Sequence, residues 1–283
     1  MRDSLPPTQP PAKTKHVSLP RDRGDDEILP PRGGRRVATA DAPILGVPRG
    51  LAVWVVGGAL APLFAATPIL QYMAWFLSSL VHEMGHTAMA WLMGCSAVPA
   101  IRLDGHAATP TAEQSRVAAY GMWIALAAVS TWLWRTDRRR LALFTAAAVI
   151  AYPMIALDPV RRPLAHLLGG HLGEVLFATL ALYRSLSGRA TAHLAERIAY
   201  AMVGWYLWGH NLTLTYGLAT DAAVRDHYES NGSFGLTNDY IRVAEEILDW
   251  PLTKVAWWAT VAALPAPLAA ILLSRSAGSR SDG

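Results

Sequence analysis

The sequence predicts an all-α polytopic membrane protein of about six to seven transmembrane helices, with a small β-hairpin after the second of them. Three observations carry this prediction. Of 283 residues, 52% are hydrophobic and only 16% charged, too apolar a balance for an ordinary soluble domain. The apolar residues fall into runs of about 20, the length that crosses a ~30 Å hydrocarbon core at 1.5 Å per helical residue. Between Leu51 and Ile101 the only formally charged side chain is Glu83.

Charge and cysteine content narrow the class further. The net charge of +4 comes from Arg clusters flanking the apolar runs, which suits anionic lipid headgroups. No basic stripe is interleaved with aromatics in a polar module, so nucleic acid is not an expected partner. Cys95 is the only cysteine. An internal disulfide is therefore excluded, and any metal site must be built from His and carboxylates.

Residues 1–48 are rich in Pro, Arg, Asp and Gly without periodicity, so they bury too little apolar surface to offset chain entropy and read as a disordered tail. They lack the apolar core of a signal peptide. Residues 49–274 form the membrane domain, and 275–283 a loose polar end. Within the domain the first span is 51–70, kinked or ended by Pro62 and Pro68. The second is 69–94. The segment 95–116 is polar and broken by Pro99, Gly105 and Pro110; 98–103 suits a short strand and Asp104-Gly105 a turn, giving a hairpin. Asp104 and His106 lie there as minor ligand candidates, although turn chemistry accounts for Asp104.

Spans three and four are 117–134 and 141–157, joined through the Arg-rich 135–140. A loop, 159–170, leads to a shorter helix at 171–186 that carries Glu174, an acid in an apolar run and so paired or functional. Residues 198–220 make a further span with His210-Asn211 at its middle. These two are candidates for substrate or oxyanion contacts, or for interhelical hydrogen bonds. The insert 221–251 is extramembrane, with Asn238 placed to cap a helix over 239–249 that either covers the mouth of the site or simply connects. The last span is 255–273.

The second span contains His82-Glu83-Met84-Gly85-His86. Two His four apart on a helix share one face, so both imidazoles reach one Zn²⁺ while Glu83 addresses a water. Gly85 leaves that face bare for close packing by another backbone. The second and fourth spans run the same way, which puts His82, His86 and Asp158 at similar depth. A catalytic zinc needs such a third protein ligand and one open position.

This motif in a transmembrane helix, followed by Pro153-x-x-Ala156-Leu157-Asp158, resembles the site-2 protease class of intramembrane zinc metalloproteases, the M50 peptidases. The stretch HEMGHTAMAWLMG is similar to the M50B-like branch, where a hairpin follows the motif. The resemblance implies zinc held by His82, His86 and Asp158, with Glu83 as the catalytic base and a membrane-anchored protein as substrate. Two positions depart from the pattern: Ile150 stands where that class has Asn, and Pro159 where it has Gly. A rival alignment through Leu167-Leu168-Gly169-Gly170-His171-Leu172 makes His171, or Glu174, the third ligand.

The expected setting is a multi-pass protein of a prokaryotic cell membrane, with the metal towards the cytoplasm because most Lys and Arg share its face. Two rival readings are a non-proteolytic metal-binding scaffold or regulator, and a transporter using His82, Glu83 and Asp158 as an ion relay.

Overall fold

The computed structural model describes residues 46–101, 107–189, 191, 193–230 and 238–278. The expected disordered tail falls almost wholly outside the described residues, as do Asp104, His106 and residues 279–283 of the expected polar end, while 275–278 are helical rather than loose. What is described is mostly helical. Helix α1 (Arg49–Leu60) runs into a 3₁₀ turn, Ala61–Ala65, and helix α2 follows at Pro68–Leu92. The two are bent by 110°. Thr67 explains the break: a residue before proline is confined to extended backbone, and Thr67 has φ −138° and ψ 152°. Its hydroxyl then caps α2 by accepting from the Leu70 amide at 3.2 Å, with Pro68 at the first helical position, where no N–H is needed. The first two predicted spans are thus one sharply bent helical pair.

Helix α2 stops just before Gly94, whose φ of +78° suits glycine. A Cβ there would meet the Ala119 amide nitrogen at 2.6 Å. The expected hairpin follows as two short antiparallel pairings. Strand β1 (Cys95–Ala97) pairs with β4 (Thr111–Gln114), while β2 (Ala100–Ile101) pairs with β3 (Ala107–Ala108) in the register Ala100 to Ala108. Gln114 ties this hairpin down, donating to the carbonyls of Met93 at 2.6 Å and Ala156 at 2.8 Å.

Helices α3 (Arg116–Arg135) and α4 (Arg139–Ala156) form an antiparallel pair, and α5 covers Arg161–Ser187. Helix α5 begins ten residues before the predicted start of its helix, and 159–170 is not a loop. Pro163 lies in its first turn, where proline costs no hydrogen bond. Gly169 and Gly170 stay helical because another helix packs on them. Helix α6 (Leu194–Thr220) lies against α5, and the chain continues through α7 (Ala222–Ser230), α8 (Asp239–Ile241), α9 (Leu252–Ala263) and α10 (Ala266–Gly278).

Four helical stretches among the described residues are long and apolar enough to cross a membrane: α3, α4, α5 and α9–α10 taken together; the bent α1–α2 pair makes up to five. The predicted span 198–220 lies within the 27-residue helix α6, which is not among them. Its polar residues Arg197, Asn211 and Thr215 are buried in the bundle.

The insert departs most from expectation. Helix α8 passes directly into a π-helical stretch, Arg242–Leu248, a form frequent at functional sites. Asn238 makes no cap bond; its side-chain amide donates to the Tyr228 carbonyl on α7. Tyr240, Val243 and Ala244 are sunk into a core with Leu167, Leu218, Val255 and Ala256. Burial of such side chains contributes about 1.5–3 kcal/mol each for the larger ones, so the insert is anchored to α5, α6 and α9.

Candidate metal centre

The site forms where α5 crosses α2 with almost no side chain between. A Cβ on Gly85 would lie 2.4 Å from the Gly169 carbonyl oxygen, and one on Gly173 would lie 2.7 Å from Gly85 Cα. Backbone contact of this kind is what the bare face at Gly85 predicted. It brings the imidazoles of His82 and His86 against Gly170.

His82 Nε2 and His86 Nε2 are 3.0 Å apart. Asp239 Oδ2, from the first residue of α8, lies 3.0 Å from the former and 2.8 Å from the latter. His86 Nδ1 is 2.8 Å from the His166 carbonyl oxygen, so that nitrogen carries the ring proton and Nε2 of the neutral ring presents a lone pair. Lone pairs and a carboxylate oxygen this close repel unless a cation or proton lies among them. Gly170 completes the cradle: a Cβ there would stand 2.5 Å from both Nε2 atoms. Burial disfavours a charged Asp239; wherever the facing imidazoles of His82 and His86 carry a proton, they more than reverse this and hold its carboxyl well below the usual carboxylate range.

Glu83 is not one of the converging donors. It is buried at 5% exposure, and the Thr109 hydroxyl, just beyond β3, donates to its Oε2 at 2.6 Å. The hairpin therefore orients the acid. Glu83, His82, His86, Thr109, Asp239, His166 and His210 all line one cavity of about 550 Å³.

The structure does not bring Asp158 to the two imidazoles. Asp158 is absent from the two groups of described residues whose donor atoms converge, which are His82, His86 and Asp239, and His82, His171 and Glu174. Its Oδ1 accepts from the Val160 and Arg161 amides, both at 2.8 Å, and these bonds hold its carboxyl below the usual range. It caps the start of α5. From Arg161 to Gly170 is nine residues, roughly 14 Å of helix, so the start of α5 lies well away from the crossing.

The rival candidate His171 stacks on Tyr240, with ring centroids 4.1 Å apart and planes 8° apart, and does not share the point where the two Nε2 atoms meet. Asn211 is 1% exposed and donates to Glu174 Oε2 at 2.8 Å. It does not face the cavity, whereas His210, stacked on Tyr206, does. Sequence reasoning missed Asp239, Thr109 and the His166 carbonyl. Two indirect signals were available: Leu168 stands where the rival alignment wants an acid, which sends the search for a carboxylate elsewhere in the chain, and the expected helix over 239–249 had covering the mouth of the site as one of its two readings.

No protein-family model, curated protein or solved structure matches the chain.

Proposed function

We propose that the chain is a multi-pass membrane zinc metallopeptidase of the site-2 type, cleaving a peptide bond in a membrane-anchored protein, with His82, His86 and Asp239 as ligands and Glu83 as general base. The observation that carries this reading is the approach of three donor atoms to within 2.8–3.0 Å of one another. Adjacent donors around a tetrahedral Zn²⁺ stand about 3.3 Å apart, so only small outward movement is needed. Two imidazoles and a carboxylate suit zinc, and three protein ligands leave one position open.

When bound, the ion would lower the pKa of a water and polarise a carbonyl. The chain's own residues supply the rest. Glu83 takes the proton from water at a carboxylate oxygen and passes it to the leaving amine. Thr109 holds the other side of that carboxylate. The cavity admits water and an unwound segment of substrate, whose backbone must leave its helix to expose a carbonyl.

A membrane setting is supported by the outer faces of α3 and α4, where Val117, Phe144 and Ile150 are 83%, 79% and 72% exposed. So large an apolar surface needs lipid or protein over it. Trp132 and Trp134 lie under Arg138 and Arg139 at the turn between these helices, a pairing suited to a headgroup layer.

The test uses the full chain reconstituted with membrane-anchored reporter polypeptides. Cleavage that stops with a chelator and returns with Zn²⁺ is expected. Zinc-loaded protein that cuts none of the reporters would instead support a metal-binding scaffold, and metal-independent ion flux would support a transporter.

A further inference from the structure

We infer that Glu174 is a positioning residue, which fixes the ring of His82 from behind so that its Nε2 is aimed at the metal. This rests on the metal-centre reading above. The two His are held differently. His86 is oriented by a neutral carbonyl, that of His166, while His82 Nδ1 faces Glu174 Oε1 at 3.6 Å. That distance is long for a hydrogen bond, yet a charge there still favours a proton on Nδ1 and a lone pair on Nε2.

Glu174 lies on the buried face of α5 at 4% exposure. A buried carboxylate is costly unless it is hydrogen-bonded and offset by positive charge. Asn211 Nδ2 on α6 donates to its Oε2 at 2.8 Å, and Ser78 Oγ on α2 donates to its Oε1 at 3.4 Å. The acid is thus aimed by side chains from both neighbouring helices. Offsetting charge comes from the His82 ring once it is polarised by a cation.

Glu174 could instead be read as a ligand to a second ion shared with His82 and His171. The hydrogen bonds speak against it. Asn211 Nδ2 also lies 3.3 Å from His171 Nδ1, so one amide group already engages the lone pairs of both. A carboxylate placed behind a ligating imidazole raises its strength as a donor, and removing such a partner typically weakens metal binding by about 10–100-fold.

The experiment measures the Zn²⁺ dissociation constant of the full chain by competition with a chelator, for wild type, Glu174→Gln and Asn211→Ala. Ion count per chain and the unfolding midpoint of the metal-free protein are recorded alongside. Glu174→Gln is expected to bind one ion about 10–100-fold more weakly without a lowered midpoint, and Asn211→Ala to weaken binding in the same direction. If Glu174→Gln fails to fold, Asn211→Ala carries the test alone. A wild-type constant in the variants overturns the inference. So does weaker binding matched by a lowered metal-free midpoint, or a second ion in wild type that Glu174→Gln loses. Wild type that binds no Zn²⁺ removes the metal centre itself; zinc-binding wild type with unaffected variants removes only the role of Glu174.

Discussion

Glu83→Gln protein is expected to hold zinc as wild type does while cleavage falls by roughly 10²–10⁴-fold, the loss typical when a general base is removed. The amide matches the carboxylate in shape, and one of its polar atoms still faces the Thr109 hydroxyl that lies 2.6 Å from Oε2 in the native site. It cannot accept a proton from water. Because Glu83 offers no atom to the group formed by His82, His86 and Asp239, metal content should not change. Metal analysis and a reporter-cleavage assay on the same preparation separate the two effects. Cleavage at the wild-type rate, with zinc in place, would remove Glu83 from the mechanism.

Gly170→Ala is expected to weaken zinc binding by more than about 100-fold, beyond the loss typical of groups that only orient a ligand. A single methyl has this effect because its carbon would sit 2.5 Å from both Nε2 atoms. Helix α5 cannot retreat to make room: Gly85 and Gly169 already bring the two backbones into contact, and interiors packed to that density relax only at a cost of about 1–3 kcal/mol. Gly121→Ala is the control, since nothing lies within 4 Å of a Cβ at that position. Equal zinc affinity in the two variants would mean that the imidazoles do not meet at Gly170.

The part of the site carried by one helix was legible in the sequence. His82, Glu83 and His86 follow from a four-residue spacing on a single face, and the close crossing follows from Gly85 within the same motif. The hairpin was legible too, from the polar, proline-broken stretch 95–116, although its Asp104-Gly105 pair lies outside the described residues. What failed depended on contacts distant in the chain. Asp239 lies 157 residues after His82, in an insert with several acids, where it looks like any residue at a helix start. Only packing of Tyr240 and Val243 into the core places it at the two imidazoles.

Asp158 lies apart from the two imidazoles for a related reason. The stretch 159–170 reads as a loop from the sequence, but Pro163 is harmless in a first turn and Gly169-Gly170 are needed where α2 presses against α5. With 161–170 helical, Asp158 becomes a cap. The bent α1–α2 pair was half legible: Pro62 and Pro68 announced a break, but not that the chain would turn by 110°.

The central claim is that one divalent ion is held by His82, His86 and Asp239. The most direct test is the metal content of purified wild type beside Asp239→Ala and Asp158→Ala. One zinc per chain is expected in wild type and in Asp158→Ala, with Asp239→Ala nearly empty under the same conditions. A full complement in Asp239→Ala, or wild type free of metal after purification in zinc-containing buffer, would contradict the account.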